Sequence, residues 1–197
     1  MNTIIKDSLG KGLSYETYRK KVNDLLEEGK STGQNQSADL LNYSTLNDAR
    51  MNRLDKKTTL TDATIEALKN TKEKQTWLLI AEGWCGDAAQ IAPVINKMSL
   101  ESENINLKVV LRDENENLMN QFLTNGSKSI PKLVVLNEND DVISSWGPRP
   151  SIATKMVAEY KEKHGGLDAD FKRDLQVWYN KNKGQSIQED LIQFIKK

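Results

Sequence analysis

The run Thr76-Trp77-Leu78-Leu79-Ile80-Ala81-Glu82-Gly83-Trp84-Cys85-Gly86-Asp87-Ala88-Ala89-Gln90-Ile91-Ala92-Pro93 decides how this chain reads. Thr76–Ala81 is a short stretch without charge, the pattern of a strand buried on both faces. From Ala88 the apolar spacing becomes that of a helix face, through Ile91, Ala92, Ile95 and Met98. Cys85 therefore sits where a strand gives way to a helix, and it is the only cysteine among 197 residues.

Downstream, Leu107–Leu111 and Lys132–Leu136 repeat the buried-strand pattern. A shorter helical spacing, Leu118, Met119, Phe122 and Leu123, lies between them. The polar turn Asn137-Glu138-Asn139-Asp140-Asp141 leads straight into Asp141–Trp146, which predicts an antiparallel hairpin. Gly147-Pro148-Arg149-Pro150 ends the sheet, and a helix is expected from Ser151 to Lys163, closed by His164-Gly165-Gly166. His164 is expected to interact with the carbonyls of that helix end.

Upstream, Tyr15, Tyr18, Val22, Leu25 and Leu26 mark one amphipathic helix stopped by Gly29. Two more helices are expected around Ser44–Leu54 and Asp62–Lys72, the second with Thr61 or Asp62 as N-cap. Past the middle, Phe171, Leu175, Trp178 and Tyr179, then Ile187, Leu191, Phe194 and Ile195, mark two helices that would pack on it. All four prolines fall in the middle part. The expected division is a helical extension over 1–58, an α/β unit over 59–164 and a second helical extension over 165–197.

The order strand, Trp84-Cys85-Gly86, helix with Ala92-Pro93, strand, helix, Ser129-Ile130-Pro131-Lys132-Leu133, hairpin, Gly147, helix resembles the thioredoxin family. The resemblance covers about Thr59 to His164. It implies an α/β thioredoxin-like fold, a central mixed β-sheet flanked by helices, here with N- and C-terminal helical extensions. It places Cys85 as the nucleophile at a helix N-terminus, where the helix end stabilises negative charge by about 0.3–1 kcal/mol and up to about 2, enough to lower a thiol pKa by up to about 1.5. It also implies a cis Ile130-Pro131 bond facing the cysteine. The ligand groove it implies is formed by Trp84, Ile130, Pro131 and Gly147, with a peptide or thiol ligand added along its edge as a short strand.

The departures from that pattern narrow the chemistry. Ala88 stands where the family has its second, resolving cysteine, so a mixed disulfide on Cys85 has no internal thiol to release it. Leu79 stands where the family keeps a buried acid. Asp87, next to Gly86, takes the family's usual proline position and brings a carboxylate that opposes thiolate formation at Cys85. Arg149, two residues past Gly147, is a candidate to favour that thiolate or to hold a ligand carboxylate. Arg50 and Arg53, spaced i, i+3, are candidates for the same basic rim.

Other chemistries are excluded or weak. Asp113-x-Asn115-x-Asn117 imitates the start of a calcium loop, but Leu118 occupies the position that needs glycine, so a helix cap is expected instead. One cysteine and one histidine make no protein-only zinc site, and no glycine-rich phosphate loop or serine-nucleophile motif is present. No cofactor is expected. The weaker alternative is an iron–sulfur cluster shared across a dimer, as in single-cysteine glutaredoxins, from whose motif Asp87 and Ala88 differ.

Lys+Arg and Asp+Glu each total 28, so no net field draws the chain to nucleic acid or an anionic membrane. The opening residues lack the apolar run of a secretory signal, and with the lone cysteine this makes the cytoplasm the expected location. The functional expectation is a single-cysteine thiol–disulfide oxidoreductase in which Cys85 acts on a disulfide-containing protein or a low-molecular-weight thiol, and an external thiol resolves the product. The alternative is a non-catalytic binding module for a protein or peptide partner, its helical arms recognising that partner.

Overall fold

A computed structural model describes residues 2–195 of the chain. Four helices come first: α1 (Asn2–Gly10), α2 (Tyr15–Glu27), α3 (Ala38–Lys57) and α4 (Asp62–Lys69). The central part runs β1 (Gln75–Ala81), α5 (Gly86–Ser99), β2 (Ile105–Leu111), α6 (Glu116–Met119), β3 (Lys132–Leu136), β4 (Val142–Trp146) and α7 (Ser151–His164). Helices α8 (Ala169–Asn182) and α9 (Gln185–Ile195) close it.

The sheet order is β2-β1-β3-β4. β1 pairs parallel with β2, Leu79 opposite Val109, and antiparallel with β3, Leu79 opposite Leu133. The β1–β2 connection crosses over through α5, as a parallel pair requires, whereas β3 and β4 form the hairpin that the short polar turn predicts. β1 is central and fully covered, which is why Trp77–Ala81 carries no charge. This mixed sheet flanked by helices is the thioredoxin-like architecture.

The helices beyond the sheet unit share its core. Tyr18, Val22 and Met51 belong to the same buried cluster as Trp77–Ala81, and so do Leu175, Tyr179 and Leu191. Leu13 exchanges both backbone hydrogen bonds with Val109, at 2.9 and 2.8 Å, and so covers part of the outer edge of β2. Arg19, itself buried, fixes α2 to α3 through Asp48 at 2.9 Å and Asp55 at 3.3 Å. Pro150 precedes α7 and offers no capping side chain; Asp190 of α9 supplies it, accepting from the Ser151 N–H at 2.8 Å.

Several elements depart from the sequence expectation. α1 was not marked by any expected element, although its Ile5 is buried. α3 begins six residues before the expected Ser44, because Ser37 accepts from the Leu40 N–H and caps it there. α6 stops at Met119, leaving Phe122 and Leu123 outside it; Asn125 and Gly126 adopt positive φ and turn the chain between Thr124 and Ser127. Asn115 does begin α6, but its side chain donates to the Leu111 carbonyl instead of capping the helix. His164 stacks on Tyr160, ring centroids 4.2 Å apart, and makes no hydrogen bond to helix-end carbonyls among the described residues.

Candidate functional site

Cys85 is the N-cap of α5, and its Sγ accepts from the Ala88 N–H at 3.5 Å. The thiol donates across to the Ile130 carbonyl at 3.4 Å, directly before the cis Ile130-Pro131 bond. Gly147 lies behind that bond with φ +112°, and a Cβ there would run into the Pro131 carbonyl oxygen. Only glycine fits this close approach. Trp84 flanks the thiol and carries the Arg112 guanidinium over its ring at 4.7 Å.

The electrostatics run opposite to the expected activation. Cys85 is only 9% exposed, and burial pushes its thiol up to about 12, with the Asp87 carboxylate adding to the rise. The backbone N–H groups of Ala88 and Asp87 and the Arg149 guanidinium pull the other way and do not prevail. A helix end stabilises charge by about 1 kcal/mol, whereas desolvation of a fully buried group shifts it by several pH units, so burial decides.

Asp87 is itself buried, which raises its pKa against the pull of Arg149 and Tyr179. Arg149 meets one carboxylate oxygen at 2.6 Å, and the Tyr179 hydroxyl donates to the other at 2.9 Å. Arg149 thus reaches the site, but as the partner of Asp87. Tyr179 comes from α8, which also sends Gln176 to Gln90 at 3.0 Å.

The α2–α3 connection and α3 hold the loop before Cys85. The Thr32 hydroxyl donates to Glu82 and accepts from the Gly83 N–H at 2.9 Å. The Asn47 side chain donates to the Gly83 carbonyl at 2.9 Å and accepts from Arg50 at 2.6 Å. Glu82 is fully buried, its pKa raised by burial and held back by Thr32 and the Asp113 N–H. The chain therefore does contain a buried acid near the thiol, three residues before it and not at Leu79. Tyr18, equally buried, has a hydroxyl without a hydrogen-bond partner among the described residues; burial, then Glu82 and Cys85, raise its pKa.

An open cleft of about 630 Å³ lies over this site. Trp84, Cys85, Gly86, Asp87 and Arg149 form its floor, α3 one wall and the start of α8 the other. Arg50 lines it, whereas Arg53 turns away to Asn180 at 2.6 Å. Ile130, Pro131 and Gly147 do not line it, and Ile130 and Pro131 are buried. The opening thus lies between the helical extensions, and the thiol itself occupies the Ile130 carbonyl that an added strand would use. Glu82, Thr32, Asn47 and Gln176 carried no local sequence signal, and Tyr179 only that of a helix face, since each acts through a partner distant in the chain.

A family model described as Thioredoxin matches residues 33–161. No curated protein matches the chain. Among solved structures, the chain is similar to an HIV epitope-scaffold at 18% identity and a TM-score of 0.58, over 93% of this chain and 98% of that one. It is also similar to a Pseudomonas aeruginosa protein of unknown function at 17% identity and a TM-score of 0.50, over 90% and 99% respectively. The shared fold therefore extends over the helices at both ends.

Proposed function

Because the chain belongs to the thioredoxin family but has one cysteine, held as a buried neutral thiol, we propose that it is a non-catalytic binding module that takes its ligand in the cleft above Cys85. The observation that carries this reading is the environment of the sulfur. Burial and Asp87 disfavour the thiolate, and it is the thiolate that attacks disulfides. A cleft of about 630 Å³ suits a small molecule or the end of a peptide, within the range of about 300–1,000 Å³ typical of such sites. The test is a fragment screen by amide NMR on the wild type and on Cys85→Ala. Hits should shift Arg50, Gly86, Arg149 and Gln176 in both proteins; hits confined to other surfaces, or lost in Cys85→Ala, refute the reading.

Single-cysteine exchange is the second reading, favoured by one observation: Cys85 lines the cleft floor at the head of α5, with its thiol opposite the cis peptide. In that cycle Cys85 thiolate would attack a disulfide R–S–S–R′, forming Cys85–S–S–R and releasing R′–S⁻. A second external thiolate would then attack the adduct, form a new disulfide with R–S and return Cys85 as thiolate. Intact-mass detection of the adduct and its release by added thiol would support this cycle, and a chain that stays unmodified in excess small disulfide would end it.

A further inference from the structure

The chain is neutral overall, yet four cationic side chains and a single acid, Asp87, line the cleft. The structure sorts those cations by what they already hold. Arg149 is paired with Asp87 at 2.6 Å. Arg173 is exposed and paired with Asp170 and Asp174 at 2.9 and 3.3 Å. Lys172 is exposed at the rim. Arg50 differs from all three: it is half-buried, Asn47 is its one hydrogen-bond partner among the described residues, and no carboxylate there meets it.

Its position is built. Asn47 is fully buried and spends its amide N–H on the Gly83 carbonyl, so its oxygen faces the Arg50 guanidinium. A Cβ placed on Gly86, the first residue of α5, would stand 3.8 Å from Arg50 and 3.3 Å from the Gln176 amide nitrogen. Two donors therefore face Gly86 from the cleft, while the Ala88 and Asp87 N–H groups of the helix end are already turned to Cys85. Beside them the cleft wall is apolar, with Leu40, Tyr43, Leu46 and Leu175; Tyr43 and Leu46 are 51% and 55% exposed. A half-buried guanidinium without a counter-ion is partly desolvated at a cost, and a planar acid answering its fork offsets that cost.

We infer that the cleft takes an organic carboxylate, whose acid group lies between Arg50 and the Gln176 amide beside Gly86 and whose apolar body lies along Leu40, Tyr43, Leu46 and Leu175. This rests on the binding-module reading above and adds the class of ligand to it.

The probes are octanoate and the neutral 1-octanol, titrated calorimetrically into the full chain at pH 7 and low salt. Octanoate should bind about tenfold tighter than 1-octanol, the scale of one hydrogen-bonded charge. Arg50→Gln should weaken octanoate about tenfold and leave 1-octanol unchanged. Arg50→Lys, which keeps the charge but loses the fork, should weaken octanoate about threefold and leave 1-octanol unchanged; it serves if the glutamine variant fails to fold, and an unchanged octanoate affinity in it then overturns the inference. Arg53→Gln should have no effect. If 1-octanol binds as well as octanoate, or Arg50→Gln leaves octanoate unchanged, the carboxylate inference falls while the cleft remains a ligand site. Octyl phosphate binding tenfold tighter than octanoate also overturns it. If neither octanoate nor 1-octanol binds, the inference and the reading beneath it fall together.

Discussion

Replacing Asp87 with Asn removes the one acid at the cleft floor while leaving an oxygen to accept from Tyr179. Two unit charges interact by about 4 kcal/mol at 4 Å under an effective dielectric of about 20, and by about 2 kcal/mol at twice that separation. Arg149 already offsets part of the Asp87 charge, and in Asp87→Asn its own charge is left uncompensated beside the thiol. The Cys85 pKa should therefore fall from about 12 by about one to two pH units. It should remain above that of a free thiol, because burial, the larger cause, is unchanged. The assay is iodoacetamide alkylation against pH, unambiguous in a protein with one cysteine. At pH 8 the variant should react about 10–100-fold faster than wild type. An unchanged or higher midpoint in Asp87→Asn would refute the electrostatic argument.

Asn47→Ala should destabilise the fold by about 2–4 kcal/mol, because it strands the Gly83 carbonyl and the Arg50 guanidinium together. That corresponds to a fall of about 5–12 °C in thermal unfolding, and a loss under about 0.5 kcal/mol would show that α3 does not support the site loop. Stability should also depend on pH through Cys85. Its proton is kept to about 12 in the fold and lost near 9 when unfolded, so its contribution is complete below about 9 and declines as pH rises toward 12. The decline from this group is about 1.4 kcal/mol per pH unit. Urea unfolding of wild type and Cys85→Ala at pH 8 and 10.5 should show their stability difference shifting against the wild type by more than about 1 kcal/mol, whereas parallel behaviour would contradict the raised pKa.

Much of the fold was legible because its strands are short apolar runs that only a buried sheet accommodates, and β3 coincides with the run Lys132–Leu136. The opposition of Asp87 to the Cys85 thiolate was legible as well, since positions two apart at a helix start fix the proximity. What was not legible depends on partners far along the chain. Glu82 stands in a loop beside Gly83, and only Thr32, fifty residues earlier, and the Asp113 N–H, 31 residues later, make it a buried and satisfied acid. The activation of Cys85 was expected from its helix end alone, but the burial that reverses it comes from the tertiary packing around that helix end. The edge around Ile130 and Pro131 was expected to be open; instead the opening lies between α3 and α8, a geometry set by how two sequence-remote helices pack. α1 was missed because Ile4, Ile5 and Leu9 span too few turns to mark a period, and the true start of α3 because Ser37 is a single capping signal in a polar stretch.

The state of the sulfur is measured most directly by one ratio: the rate at which 5,5′-dithiobis(2-nitrobenzoate) reacts at pH 8 with the folded chain, divided by its rate with the same chain unfolded in urea. Since burial and Asp87 keep the folded thiol protonated, the folded protein should react at least tenfold more slowly. A folded chain that reacts faster than the unfolded one would contradict the binding-module account and restore Cys85 as a nucleophile.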